Sequence, residues 1–207
     1  MVRLRTHSKK DVMVKTLATY WNFLCAGLAN PEHTGAVVPS QRFLISKMIA
    51  PVPESYSGEV VELGPGNGAL TVRLARRCPA ARILACEINP ALARDCQAKL
   101  ASAGLDNRVK VICDSAEHLL TDMAASRKPA PDFVISGIPL ANVSRECTRS
   151  LVGKIHRCLA KGGMYIQFQH SLLDRKTILA RFPRLRTSPA FLNFPPAFVY
   201  YARKDRA

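Results

Sequence analysis

Two periods of hydrophobicity alternate along this chain, and their switching predicts its elements. Short apolar runs rich in β-branched residues read as buried strands over 59–63, 82–87, 109–113, 132–136 and 163–169. Between them, apolar positions recur every three to four residues and predict helices over about 68–77, 90–103, 116–125, 144–160 and 171–181. Such alternation implies an α/β domain built on a mostly parallel sheet with right-handed crossovers. The tail, 184–203, reads as two more strands joined around Asn193-Phe194-Pro195-Pro196, an antiparallel hairpin.

A different pattern precedes the first strand. From Asp11 to Leu28, the residues Val14, Leu17, Trp21, Leu24 and Leu28 share one helical face. Met13, Tyr20 and Phe23 widen that face, while Lys15, Thr19 and Asn22 lie opposite. A Pro- and Gly-containing loop, Asn30 to Ser40, leads to a second helix that ends at about Ile49. Two regions are therefore expected: a basic amphipathic extension over 1–50 and a core domain over 51–207. The first helix is suited to lie on anionic lipid or to pack across the core domain. Its place in the chain suits a cover over the ligand and the substrate entrance.

A length of 207 residues suits one doubly wound domain, and 48% hydrophobic content supports a real core. No apolar run approaches the ~20 residues of a membrane span. The basic N-terminus lacks an apolar signal-peptide core, so a cytoplasmic protein is expected. Seven scattered cysteines without a C-x-x-C pair imply free thiols in a reducing compartment and no metal site. Charge changes the picture more. Thirty basic residues against 15 acidic ones give +15, a surface that seeks a polyanion. Nucleic acid and an anionic membrane both satisfy it.

The candidate chemistry centres on Val60-Val61-Glu62-Leu63-Gly64-Pro65-Gly66-Asn67-Gly68. A buried strand runs here into three alternate glycines and then a helix, so backbone can lie directly against a ligand. The spacing differs from the dinucleotide G-x-G-x-x-G, and no Lys-Ser/Thr follows to make a P-loop. Glu62, two residues before the first glycine, would repel a diphosphate and suits a cationic ligand. Glu87 ends the second strand about twenty residues on, the position of a ribose-binding carboxylate. Asp114 ends the third strand, where it is either a ligand contact or the N-cap of the next helix. Ser136-Gly137-Ile138-Pro139-Leu140 leaves the fourth strand at the sheet's switch point.

The E-x-G-x-G-x-G order resembles motif I of class I methyltransferases that use S-adenosylmethionine. That resemblance implies a Rossmann-like fold with a seven-stranded sheet ending in an antiparallel hairpin. It implies cofactor contacts from Glu62, Gly64, Pro65, Gly66, Asn67, Gly68, Glu87, Ile88, Asp114, Ser115, Ala116 and Ser136, with Asp114 on the adenine amino group. The Ser136–Leu140 turn resembles motif IV of N6-adenine methyltransferases, but Ser replaces Asn and Leu140 replaces the aromatic that stacks on the base. Together with His33-Thr34-Gly35-Ala36-Val37-Val38-Pro39-Ser40 and Phe194-Pro195-Pro196-Ala197-Phe198-Val199-Tyr200, these motifs resemble bacterial phospholipid N-methyltransferases, relatives of the ribosomal RNA adenine dimethyltransferases.

The family implies stepwise methylation of the phosphatidylethanolamine amine towards phosphatidylcholine, by a peripheral enzyme on the cytosolic face of the membrane. The amine must lose a proton before it attacks, and Tyr20, His33 and His170 are the candidates to take it. The backbone carbonyls of Ser136 and Gly137 are candidates to hold it. A monomer is expected. The alternatives are an enzyme acting on ribosomal or other RNA, one acting on another lipid or small amine, and a cofactor-binding module without catalysis.

Overall fold

A computed structural model describes residues 39–126, 128–190 and 196–206. The expected helix from Asp11 to Leu28, the loop after it, and the candidates Tyr20 and His33 lie outside the described residues.

Within the described residues the strands are β1 (Glu59–Leu63), β2 (Arg82–Glu87), β3 (Val109–Cys113), β4 (Phe133–Ser136), β5 (Met164–Gln169), β6 (Arg184–Ala190) and β7 (Ala197–Arg203). They form one sheet in the order β3-β2-β1-β4-β5-β7-β6. The first five run parallel, and β7 lies antiparallel between β5 and β6. This is the expected mostly parallel sheet with a terminal hairpin. The helices are α1 (Pro39–Ile49), α2 (Ala69–Arg77), α3 (Pro90–Ser102), α4 (Ala116–Ala125), α5 (Arg145–Cys158) and α6 (Arg175–Leu179), with a 3-10 turn at Leu140–Asn142.

Continuous apolar runs become strands because helices cover both faces of the sheet. Successive side chains point to opposite faces. Val60, Ile83, Ile135, Ile166 and Tyr201 join Leu74, Ala93, Cys96 and Leu100 of α2 and α3 on one side. Val61, Val134, Tyr165 and Tyr200 join Leu119, Leu120, Leu151, Val152 and Ile155 of α4 and α5 on the other. The sheet edges are polar or broken: Arg184, Arg186 and Pro189 are exposed on β6 and Lys110 on β3, which blunts pairing with another chain.

Within the expected 1–50 extension, residues 39–49 form α1, and this helix is built into the core. Leu44, Ile45, Met48 and Ile49 are all buried in the first cluster. The Tyr201 hydroxyl donates to the Lys47 carbonyl at 2.9 Å, and Lys47 Nζ donates to the Pro189 carbonyl at 2.6 Å. The helix expected over 171–181 is shorter, Arg175–Leu179. Ser171 Oγ accepts from the Leu173 amide at 3.0 Å, and the Ser171 carbonyl accepts from Tyr200 at 3.1 Å. A serine side chain that bonds its own backbone two residues on holds a turn in place of a helical start.

Truncating Met48, 2% exposed, to alanine leaves a cavity between α1 and the sheet. The expected cost is about 2–5 kcal/mol, read as a lower midpoint in urea denaturation with an unchanged slope.

Candidate functional site

The glycine turn stands at the carboxyl end of β1, beside the β1/β4 switch point. The Gly64 amide donates to the Cys86 carbonyl at 2.9 Å, which keeps the turn against β2. Gly64 and Gly68 have φ of 70° and 79°, in the left-handed region. Space demands glycine there as well. A Cβ on Gly68 would stand 2.8 Å from Cys96 Sγ, and one on Gly64 would stand 3.2 Å from Ile138 Cγ1. α2 thus starts hard against α3, and the turn against the β4 exit. Asn67 Oδ1 accepts from the Ala69 amide at 3.2 Å, closing the first turn of α2 beside Pro65.

Two carboxylates are buried around this turn. Glu62, 2% exposed on β1, has no hydrogen-bond partner for Oε2 among the described residues. Burial pushes its pKa up to about 8; the nearby Thr71 favours the charged form, and Glu87 opposes it. Glu87, 3% exposed, turns inwards. Its Oε2 accepts from the Gly66 amide at 3.0 Å and its Oε1 from the Asn89 amide at 2.9 Å. Each oxygen expected for a ribose diol thus accepts from one backbone amide and keeps a second lone pair. Burial raises the Glu87 pKa, and the amides of Asn89, Gly66 and Ile88 counter it. Asn89 caps α3 by accepting from the amides of Ala91 and Leu92 at 2.9 and 3.3 Å. Beside these acids the Ile88 side chain is 46% exposed and offers an apolar wall.

Asp114 stands in the open at the end of β3. Its Oδ1 accepts from the Ser115 amide at 2.6 Å, and its Oδ2 meets His118 Nδ1 at 2.5 Å. That histidine holds the Asp114 carboxyl below its ordinary value, and Asp114 raises the histidine in turn. The N-cap role left open for Asp114 belongs to Ser115, whose Oγ accepts from the His118 amide at 3.1 Å. Ala116 is the first residue of α4. His118 was not a sequence candidate. Its signal was the i, i+4 spacing from Asp114.

The β4 exit is braced from β5. The Gly137 amide donates to the Leu63 carbonyl at 2.8 Å, and the Ile138 amide donates to Ser136 Oγ at 3.2 Å. The Ile138 carbonyl accepts from Gln167 Nε2 at 2.9 Å and Gln169 Nε2 at 3.3 Å. Gln167 Oε1 accepts from the Tyr165 hydroxyl at 2.6 Å. Tyr165, Gln167 and Gln169 are all buried and share one face of β5. Their signal was a Gln-x-Gln in an otherwise apolar strand, and it was missed. Leu140 is fully buried, with its carbonyl accepting from Thr148 Oγ1 at 3.4 Å.

His170 follows β5. Its Nδ1 lies 3.1 Å from the Pro196 carbonyl, and its ring meets Phe168 edge-on at 5.8 Å. A carbonyl only accepts, so Nδ1 carries the hydrogen and Nε2 keeps a lone pair when the ring is neutral. Asp174, also missed in the sequence, is 9% exposed with no partner for Oδ2 among the described residues. Burial raises its pKa, and Arg145 pulls it back. Around this end of the sheet the structure brings together Glu62, the three glycines, Glu87, Ser136, Gly137 and His170. A cavity of about 550 Å³ lined by Glu59, Arg82, Asp106 and Arg157 lies at the opposite ends of the strands, away from these residues.

A mostly parallel seven-stranded sheet in this order, with a glycine turn after β1 and acids after β2 and β3, is that of a class I S-adenosylmethionine-dependent methyltransferase. Residues 60–163 match the family model described as a methyltransferase domain, and the chain belongs to that family. Its cofactor is S-adenosylmethionine. The chain is 26% identical over 179 residues to an ornithine lipid N-methyltransferase of Singulisphaera acidiphila, covering 81% of this chain and 87% of that one. It is 28% identical over 163 residues to the ribosomal RNA small subunit methyltransferase C of Vibrio vulnificus, covering 77% of this chain but only 44% of that protein. The fold matches an O-methyltransferase from Bacillus cereus in complex with SAH, with a TM-score of 0.63 and 16% identity, over 97% of this chain and 93% of that one.

The raised Glu62 pKa gives a pH dependence of fixed sign. Because the folded state holds this proton more tightly than the unfolded chain, stability is full below about 4.5 and is lost as pH rises to about 8. Denaturant titrations across that window should show the wild type losing roughly 1 kcal/mol per pH unit relative to Glu62→Gln. A constant difference between the two proteins would contradict the buried, unpartnered acid.

Proposed function

We propose that this methyltransferase methylates the amine of a membrane lipid, with phosphatidylethanolamine as substrate and stepwise transfer towards phosphatidylcholine. The turn after β4 carries this reading. Where an adenine methyltransferase stacks an aromatic on its base, Leu140 is buried beneath the turn and offers no ring. The lipid N-methyltransferase relative, matched over most of both chains, supports the same class of substrate.

The observations fit S-adenosylmethionine. The glycine turn leaves backbone where a Cβ would stand, and Glu62 presents a buried oxygen that lacks a partner. Gly64, Pro65, Gly66, Asn67 and Gly68 would hold the amino-acid end beside Glu62. Glu87 would meet the ribose, Ile88 would pack on the adenine, and Asp114, Ser115 and Ala116 would border its edge. When bound, the cofactor supplies an electrophilic methyl on a sulfonium sulfur, and the C–S bond breaks as the new N–C bond forms.

The residues of this chain do the rest. Carbonyls at Ser136 and Gly137 orient the amine, and alignment is the main contribution they can make. Nε2 of His170 takes the proton that the ammonium must lose, with Nδ1–H fixed on the Pro196 carbonyl. Tyr20 and His33 remain the other candidates for that step. The basic amphipathic N-terminal stretch is suited by its sequence to contact an anionic membrane. Attachment is proposed to be peripheral; among the described residues no helix is long and apolar enough to cross a membrane.

Labelled S-adenosylmethionine should transfer its methyl to phosphatidylethanolamine in liposomes and leave undermethylated ribosomes unlabelled. Label in RNA alone would overturn the lipid reading, and label in ornithine lipid alone would move the substrate within it. Cofactor binding at pH 7 should also release a proton, about one per site, because a nearby cation favours ionised Glu62. Calorimetric titration in buffers of different ionisation enthalpy measures it, and Glu62→Gln should abolish it.

A further inference from the structure

The loop between β5 and α6 leaves two adjacent leucines in solvent. Leu172 is 48% exposed and Leu173 80%, with Leu179 of α6 37% exposed one helical face along. Single exposed leucines are ordinary. These sit on a loop held rigid from below. Ser171 Oγ accepts from the Leu173 amide at 3.0 Å, and the Arg175 amide donates to the Leu172 carbonyl at 3.1 Å. Buried Tyr200 bonds the Ser171 carbonyl at 3.1 Å, and buried Asp174 and Ile178 root the start of α6. The turn has an inner side made of Asp174 and Ile178, yet it presents its largest apolar pair outwards.

Its position and charge say what could cover it. The loop begins one residue after His170, and Gln169 bonds the Ile138 carbonyl of the β4 turn, so the leucines stand at the rim of the proposed active site. Arg175, Lys176 and Arg181 are exposed beside them, and Arg145 lies close enough to act on Asp174. Asp174 is buried, and the one exposed acid beside Arg145, Glu146, is outnumbered by four cations, so the outer face is net cationic and apolar together. Three exposed side chains fall far below the roughly 800 Å² per partner of a stable protein interface. A polynucleotide would meet the cations with its phosphates, but a leucine enters it only by unstacking bases, which costs energy. An anionic bilayer satisfies both features, with phosphates for the cations and an apolar boundary for the leucines.

We propose that Ser171–Leu179 is a membrane-inserting element in which Leu172 and Leu173 enter the acyl boundary of an anionic bilayer while Arg145, Arg175 and Lys176 engage lipid phosphates. It rests on the lipid reading above and adds to it a docking surface on the catalytic domain itself. Docked in this way, the β4 turn and His170 face the head groups, and the lipid amine reaches them without leaving the membrane.

The test compares the full-length wild type with Leu172→Asp/Leu173→Asp and with Arg175→Gln/Lys176→Gln. Partition is measured by flotation with vesicles of phosphatidylethanolamine and phosphatidylglycerol. Methylation is measured on those vesicles and on short-chain phosphatidylethanolamine dispersed below its micelle concentration. The leucine variant should lose at least about ten-fold in partition and in vesicle methylation, and keep its rate on dispersed lipid. The basic variant should lose its preference for anionic over zwitterionic vesicles. Wild-type partition and vesicle methylation in the leucine variant would overturn the proposal. So would loss of self-association in sedimentation velocity with partition unchanged, which would make the leucines a contact between copies. A wild type that methylates neither form of the lipid would refute the proposed substrate, and flotation of the leucine variant would still decide the docking element.

Discussion

The catalytic end of this protein depends on how closely neighbouring residues pack on the glycine backbone where β1 ends. A Cβ on Gly68 would collide with Cys96 of α3, and one on Gly64 would crowd Ile138 of the β4 exit. These contacts hold two neighbouring elements in place around one turn. Glu87 completes the arrangement by accepting from the Gly66 amide, so the end of β2 is stapled to the same loop. A cofactor at this turn would meet a surface already formed, with little ordering left to do on binding.

A second layer of organisation lies under the β4 turn. Gln167 and Gln169 both donate to the Ile138 carbonyl, and Tyr165 supports Gln167 from below. Burying these amides is favourable only because each has partners. Their effect is to fix the path of Ser136, Gly137 and Ile138 next to the glycine turn. Leu140 meanwhile anchors the turn in the core and offers no ring there. The scaffold is that of a broad methyltransferase family, and fold alone does not set the substrate.

Electrostatically the molecule is divided. Its surface is cationic, with a net charge of +15 over the whole chain. Its interior at the catalytic end holds Glu62, Glu87 and Asp174, all with pKa values raised by burial. The outer charge draws the protein to anionic partners, within the reach that salt screening allows. The inner acids favour cations, and both the sulfonium of the cofactor and a lipid ammonium are cations. The outer and inner charges of the chain thus favour ligands of opposite sign.

Periodicity alone placed every core strand to within a residue, because strands covered on both faces must be apolar at nearly every position. The glycine turn and the acids after β2 and β3 were also legible, since their roles depend on spacing along the chain. Contacts across the chain were not. Glu87 also accepts from two backbone amides, Ser115 rather than Asp114 caps α4, and α6 starts four residues late because Ser171 and Tyr200 hold a turn. His118, Gln167, Gln169 and Asp174 acquire meaning only from neighbours brought together by folding. The sequence by itself determined the order of elements and the family to which they belong. Tertiary structure decided which polar groups are satisfied, which stay unpartnered, and which leucines remain outside. Hydrogen bonding and burial depend on distances in space, and the order of residues does not contain them.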